Sequence, residues 1–470
     1  MYLNRLKLIV FFIYVIVAFC RIPVYAEGWP EVFEPTVLRT IYLEMNSTDW
    51  QIIENDLTFD IEVPAWFWAE GEQAYKLFVS VRRKSGDPIP PADGIGGPKI
   101  SLKIDINEYV EGQEWHGINK LSLENGDDNN VLTEGLACNL HQMASGPEGY
   151  GYDAWRGNWV KLYVNGHYYG VYFNAEQLDK RFLVNRGIYV RHQTWLYQYR
   201  GAYNYTLEVG DDLNPRSPAV NELCYRPFRN ESDPLLKPDV FCDPPSGTEL
   251  VEQLDNWIDM RGMLAMAAVN AFVSNPDSLF THERNSHFLD FSIADGRKRM
   301  YFPWDVDAAN FRKSTTIFGS STGYEQLILT VPVFRGLYCW IICDLIAGPL
   351  SEDSLLTFID RIEPVLIQAV ADDPYNQLGT NTLEGVAGYF DDIRQKLVDR
   401  VESVRTQAEC PVCADANLDG CGFVNLADFA LLANELMLSA PSLVGDINKD
   451  GTVNMIDLRI FTRFWLNLCQ

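Results

Sequence analysis

Two stretches in the first half of the chain alternate apolar and polar side chains with a period of two, Leu77-Phe-Val-Ser-Val-Arg82 and Ile100-Ser-Leu-Lys-Ile-Asp-Ile106. That is the pattern of a strand with one buried face. A loop rich in proline and glycine, Gly86 to Pro98, separates them. Farther on, Trp159–Val164 and Tyr168–Phe173 flank Asn165-Gly166. Asn-Gly readily takes the positive φ angles of a tight type I′ turn, so a hairpin is predicted here. Glu176 to Asn185 reads as a short helix, and residues 214–247, rich in Pro, Asn, Ser and Asp, as an irregular insertion. Apolar residues then recur at helical spacing over Leu250–Val273, over Leu355–Val370 and over Thr382–Ala408, with a strand pair at 286–303 between the first two. Pro364 is expected to kink or split the middle helix, because its ring removes a hydrogen bond and clashes with the preceding turn. A strand-rich first part followed by a helix-rich second part predicts an α+β fold in two lobes. A smaller domain follows from about residue 409.

That last segment has its own chemistry. Asp446, Asn448, Asp450, Thr452, Asn454 and Asp457 lie in a stretch with oxygen-bearing side chains at positions 1, 3, 5, 9 and 12 and Gly451 at position 6. Calcium takes roughly six to eight hard oxygens, and this spacing wraps them round one point at a sharp glycine turn. An earlier copy holds Asp415, Asn417, Asp419, Gly420 and Asp428 but carries two extra residues. A register starting at Asn417 restores the length and puts Cys421 at a ligand position. Each loop leads into an apolar helix, with Phe429, Leu432 and Leu436 in one and Leu458, Phe461, Trp465 and Leu468 in the other. A lone loop of this kind is commonly a metal-free Asx turn, and duplication argues against that reading.

Charge narrows the partners. The 470 residues carry 38 Lys and Arg against 64 Asp and Glu, a formal charge of −26. Nucleic-acid binding needs cations to displace counterions, so no nucleic-acid partner is expected. Docking on an anionic membrane surface is disfavoured for the same reason. Residues 1–26 read as a signal peptide, with basic Arg5 and Lys7, an apolar run Leu8–Phe19, and Val24-Tyr25-Ala26 at the cleavage site. Their removal takes away Arg5, Lys7 and Arg21 and no acid, leaving −29. The expectation is a secreted chain, extracellular or attached to a cell surface, with no membrane span after cleavage. Export also permits disulfides. Cys224 and Cys242 flank the irregular insertion, while Cys410, Cys413, Cys421 and Cys469 cluster round the C-terminal domain, where they could clamp its ends. Pairing stays open, although Cys410-Pro-Val-Cys413 has no second half-site at zinc spacing.

The large domain offers carboxylates rather than a nucleophile. Asp277 ends a helical stretch, Asn285 opens the next strand, and Asp305 and Asp307 follow Trp304 on one side of an extended segment. An Asp, an Asn eight residues on and a later Asp suit phosphoryl transfer, with one acid at the attacking hydroxyl and the others at magnesium. Each also has a plain reading. Aspartates in loops cap turns, Glu176 can pair with Lys180 one helical turn on, and Lys99, Ser101 and Lys103 share a strand face that is usually solvated. No Gly-x-Ser-x-Gly or His-Glu-x-x-His occurs, so esterase and zinc-protease readings lack support.

Pro303-Trp304-Asp305-Val-Asp307, the Asn165-Gly166 hairpin with Gly170 and Glu176 behind it, and the Val81-Arg82-Arg83-Lys84 strand resemble the CotH spore-coat kinase family over roughly residues 36–408. The resemblance implies an atypical two-lobed protein-kinase-like domain over 27–408. Asp277 would be its catalytic aspartate, and Asp305, Asn285 and Asp307 its magnesium set. Glu176, on a helix after the hairpin, and Lys99 would meet the cofactor, ATP. Residues 410–470 resemble a type I dockerin. That implies a small all-α module with two calcium loops and a cohesin-type partner. Together these imply phosphate transfer from ATP to Ser or Thr hydroxyls of a protein substrate. Two alternatives stand beside this, a non-catalytic extracellular scaffold and a component of a polysaccharide-degrading assembly.

Overall fold

The computed structural model describes residues 28–92, 94, 96–145, 151–199, 205–210, 248–281, 285–292, 295–318, 328–420 and 423–467. The expected signal peptide, the insertion at 214–247 with Cys224 and Cys242, and Cys421 and Cys469 lie outside them.

The first seven strands close a barrel. They are β1 (Arg39–Glu44), β2 (Glu62–Ala69), β3 (Leu77–Arg83), β4 (Leu102–Asp105), β5 (Lys120–Glu124), β6 (Gly157–Val164) and β7 (His167–Ala175). Their order is β1-β2-β3-β4-β5-β7-β6, and parallel pairing of β1 with β6, from Arg39 opposite Val160 to Leu43 opposite Val164, completes the ring. Alternation sends Ile41, Phe67, Val81, Ile104, Leu123 and Leu162 into one core. The expected hairpin is β6–β7, with Asn165 at φ 51° and Gly166 at φ 80°.

A second sheet, ordered β11-β10-β8-β9, joins β8 (Thr194–Tyr199), β9 (Tyr205–Val209), β10 (Ser286–Phe291) and β11 (Met300–Pro303). Among the described residues, twelve helices accompany the two sheets. The first five are α1 (Trp29–Val32), α2 (Ser47–Glu54), α3 (Val131–Ala144), α4 (Lys180–Asn185) and α5 (Thr248–Trp257). Next come α6 (Met260–Phe272), α7 (Pro332–Ala347), α8 (Glu352–Ala371) and α9 (Leu383–Gln407). The last three, α10 (Cys413–Ala416), α11 (Leu426–Glu435) and α12 (Met455–Arg463), belong to the C-terminal segment. This is a mixed α+β fold with one core inside the barrel and a second beneath the helices.

Three helix expectations change. The predicted helix over 250–273 is two helices, because Ile258 bridges to Arg299 and Asp259 starts α6 by accepting the Gly262 N–H at 3.1 Å. Pro364 does not split α8, which runs unbroken; the proline is exposed, so the carbonyl it deprives can face water. The helix expected from Glu176 begins only at Lys180, capped by Asp179, which leaves Glu176 just past the end of β7.

Helix α3 lies close against the barrel. A Cβ on Gly135 would sit 2.5 Å from the Trp159 ring, and Trp159 Nε1 donates to Val131 O at 2.7 Å. Only glycine allows that approach. Asn130 caps α3 by accepting from Leu132 and Thr133, at 3.1 and 3.0 Å.

The C-terminal segment packs on α7. Cys410 bonds Cys343 in α7 rather than a neighbour within its own module. Arg459 Nη2 donates to Asp344 Oδ2 at 3.1 Å, and Arg463 pairs with the same carboxylate. A Cβ on Gly336 would come within 3.0 Å of the Asp450 Cβ, so α7 also abuts the second loop.

Candidate active site

Where β3 and β5 of the barrel end, and where β11 runs out into its loop, acidic side chains gather. Lys84 follows β3 and its backbone N–H is fixed to Ser101 O at 2.8 Å. Its Nζ donates to Ser122 Oγ at 2.6 Å and pairs with Glu124 at the end of β5. Glu134, buried on the first turn of α3, is pushed well above the ordinary carboxylate range. Burial is the main cause, then the charges of Glu124, Asp307 and Asp305, with Lys84 pulling the other way. Asp305 and Asp307 are raised too, Asp305 by burial and Glu124, Asp307 by burial and Asp305. Asp307 also hydrogen-bonds Asp128 and Asp305. Carboxylates held this close share protons unless a cation joins them.

The backbone here is bent to present these groups. Ser274, Asn285, Asp305 and Phe311 all have φ between 48° and 58°, a left-handed conformation that side chains make costly. Asn285 and Asp305 secure one another: Trp304 N–H donates to Asn285 O at 3.1 Å, and Asn285 Nδ2 to Asp305 O at 3.2 Å. Downstream, Asn310 and Phe311 N–H both reach Val273 O, at 3.2 and 3.1 Å, tying the segment to the end of α6.

Residues 96–403, about two thirds of the chain, match the family described as CotH kinase protein. The chain belongs to the CotH kinase family. No curated protein matches it.

Within this CotH chain the sequence candidates fall in different places. Asp305, Asp307 and Asn285 come together as described. Asp277 lies half-buried in the loop leaving α6, its N–H donated to Asn275 Oδ1 at 3.1 Å. Lys99 is elsewhere: 1% exposed, it donates to Val171 O at 2.5 Å and to Asp373 Oδ2 at 3.3 Å, and is not on a solvated strand face. Glu176 pairs neither with Lys180 nor with a cofactor lysine. Arg186 grips both of its oxygens, at 2.9 and 2.8 Å, and Arg156 N–H adds a third bond at 3.0 Å. The lysine and the helix-borne glutamate that do face the aspartates are Lys84 and Glu134. The Val81-Arg82-Arg83-Lys84 strand was a sequence signal for the first. Glu134 had none, because α3 is buried on nearly every face and shows no amphipathic stripe.

In the C-terminal segment the two loops are related by a 29-residue offset. Asn425 and Asn454 each start a helix with a capping box, closed by Asp428 and Asp457, which are both fully buried. Asp419 N–H donates to Asp428 Oδ1 at 2.9 Å as Asn448 N–H does to Asp457 Oδ1 at 3.2 Å. Each helix end also pairs with the other loop: Met437 N–H with Val453 O at 2.7 Å, Leu466 N–H with Val424 O at 2.8 Å. Asn417 therefore occupies the place of Asp446. Asp415 sits apart on α10, accepting the Val412 N–H at 2.7 Å. In the second loop Asp446 accepts from Asp450 and Gly451 N–H at 3.0 and 2.8 Å, and Thr452 N–H bonds Asp450 at 2.9 Å. No group of three or more His, Cys, Asp or Glu with metal-holding geometry occurs among the described residues.

Proposed function

We propose that this CotH protein is an exported phosphotransferase that moves a phosphoryl group from ATP to Ser or Thr hydroxyls of a protein substrate. The observation that carries the reading is the convergence of Glu134, Asp305 and Asp307 on Lys84 and Glu124. Every carboxylate of that set whose ionisation is displaced is displaced upward by burial and by its neighbours, a strain that a divalent cation relieves. The donor set is all hard oxygen, which suits magnesium.

Asp305 and Asp307 would hold the metal, and Asn285, anchored through Nδ2, would turn Oδ1 toward it. Lys84 would meet the nucleotide phosphates, with Glu134 on α3 holding it in place, in the two-lobed manner of a protein kinase. Bound magnesium neutralises charge on the transferred group. Asp277 would orient the acceptor hydroxyl and take its proton, and its loop is braced by the buried Asn275–Asn270 contact at 3.4 Å.

The test is magnesium-dependent ATP consumption and phosphate incorporation by the chain without residues 1–26. Asp277→Asn is expected to lose transfer and keep ATP binding, while Asp305→Ala weakens nucleotide binding itself. Equal turnover by wild type and Asp277→Asn overturns the mechanism. Absence of ATP binding by the wild type leaves a scaffold.

We further propose that residues 410–470 are a dockerin-like module binding calcium through Asp446, Asn448, Asp450, Thr452, Asn454 and Asp457, and more weakly through the first loop. The matched capping and exchanged backbone bonds of the two repeats support this. So do the exposed Phe423, Leu426, Met437 and Leu466, apolar residues available to a cohesin-type partner.

A further inference from the structure

A cavity adjoins the carboxylate cluster, and its charge is of the opposite sign. It has a volume of about 730 Å³ and opens between the start of α3, the segment that follows Asp307, and α9. Its walls continue directly from the acidic site. Asn129 follows Asp128, Thr133 precedes Glu134, and Asn129 Nδ2 donates to Ala309 O at 2.9 Å, joining the two walls. Arg312, Lys313 and Lys396 line it, all exposed, against one acid, Asp399, which stands 3.8 Å from Lys313. Three cations against one acid is unusual in a chain of net charge −26.

The cationic wall is held firmly. Arg400, fully buried on α9, donates to the carbonyls of Arg312 and Thr315 at 3.2 and 2.6 Å. It also donates to Ala271 and Phe272 at the end of α6, at 2.6 and 3.0 Å. One guanidinium thus locks the segment that presents Arg312 and Lys313 to the helix that leads into Asp277. Also on α9, the Tyr389 hydroxyl accepts from Asn130 Nδ2 at 2.8 Å and contacts Thr133 Oγ1 at 2.7 Å, joining that helix to the start of α3. The floor, Phe311, Leu378 and Ile393, is apolar.

We propose that this cavity is the acceptor subsite, taking an anionic residue of the polypeptide to be phosphorylated, set a few positions from the acceptor hydroxyl. The proposal rests on the phosphotransferase reading for the hydroxyl, while the anion subsite stands on geometry and charge alone. The anion is a carboxylate of Asp or Glu, or a phosphate already placed on a neighbouring Ser. Both suit guanidinium and ammonium donors on a segment that Arg400 hydrogen-bonds in place.

The test uses the full chain without residues 1–26 and four fluorescein-labelled serine peptides, flanked by Glu, by phosphoserine, by Gln or by Lys, with binding read by anisotropy in the absence of ATP. The Glu or the phosphoserine peptide is expected to bind best, and the stronger of the two names the source. Arg312→Ala and Lys396→Ala should each weaken it about tenfold, and Lys396→Glu should shift preference toward the Lys peptide. Equal binding of all four peptides overturns the subsite, as does a Lys396→Glu variant with unchanged preference. A fall in ATP affinity matching the loss of peptide binding assigns the cavity to nucleotide and also overturns it. If the acidic peptide binds through these residues but no phosphate is ever transferred, the subsite holds and the phosphotransferase reading fails.

Discussion

Lys99 Nζ reaches Asp373 Oδ2 at 3.3 Å across 274 positions of sequence, with neither side chain more than 2% exposed. The pair fastens the barrel to the turn after α8. Asp373 also accepts N–H groups from Val171 and Tyr375, both at 2.8 Å, and Gly170 at φ 90° leaves no room for a Cβ against it. Removing one partner of such a pair strands the other charge in a dry interior. Lys99→Ala should therefore cost about 3 kcal/mol in urea unfolding while the folded protein keeps its ATP affinity. Lys84→Ala should instead lose ATP affinity. If Lys99→Ala is as stable as wild type yet cannot bind ATP, Lys99 is the nucleotide lysine after all.

Mutual repulsion at the acidic cluster predicts a trade of stability for metal binding. Asp305→Asn removes a charge from a crowded, largely buried site and should raise metal-free stability at pH 7 by about 1 kcal/mol. Asp307 is raised further and already holds its proton there, so Asp307→Asn should change that stability little. If magnesium binds here it should raise the melting temperature of the wild type, and each substitution should abolish that rise, since it reports binding to the folded form. A variant that melts lower than wild type without metal would show that these carboxylates are not in repulsion.

How much of this was legible follows from what each signal depends on. The β6–β7 hairpin depends on two adjacent residues and their φ angles, and helix α9 runs between Thr382 and Ala408 as its periodicity predicts. Barrel closure depends on parallel pairing of β1 with β6, about 120 residues apart, and leaves no local mark. Helices α3 and α7 were missed because both are buried on most sides, which erases the polar stripe that announces a helix. Asp305 and Asp307 could be singled out together because they are close in sequence. Glu134 and Glu124 could not, because only folding brings them to the same place. Lys99 misled because alternation reports a strand but not which face meets solvent.

His141, wholly buried on α3 beside Tyr152 and Trp155, has its pKa lowered from 6.5 to about 3 by burial. Between those values the unfolded chain takes up a proton that the folded chain refuses. Stability is thus fully present above about pH 6.5 and lost as pH falls toward 3, at about 1.4 kcal/mol per pH unit where only the unfolded state is protonated. His141→Phe should flatten the difference between stability at pH 7 and pH 5 relative to wild type. An unchanged difference in denaturant titrations would mean that His141 is accessible to protons.

The Cys343–Cys410 bond closes 67 residues that include α8 and α9. Chain entropy assigns such a loop about 4 kcal/mol. Reduction, or Cys410→Ser, should lower the unfolding midpoint accordingly and expose the chain near residue 410 to protease. Asp344→Asn, which leaves the bond but weakens the hold on Arg459 and Arg463, should have the smaller effect. If Asp344→Asn frees the module as fully as Cys410→Ser does, the ion pairs rather than the covalent link hold it.

Calcium affinity should differ between the two C-terminal loops, and the 29-residue correspondence says why. The second loop offers carboxylates at Asp446 and Asp450, brought round Gly451 at φ 88°, with Asp457 behind them. Its counterpart positions in the first loop are Asn417 and Cys421, a neutral amide and a soft sulfur where calcium prefers charged oxygen. Burial pushes the Asp457 pKa up to about 6 and raises that of Asp450, so loss of their protons to calcium should make affinity climb between pH 5 and pH 7. In calorimetry on the full chain, Asp446→Ala should remove the tighter site, and Asn417→Asp should strengthen the weaker one. Asp415→Ala should change neither, because that carboxylate serves the Val412 N–H on α10. A larger loss from Asp415→Ala than from Asp446→Ala would restore the longer first loop and overturn the register argued from the hydrogen bonds.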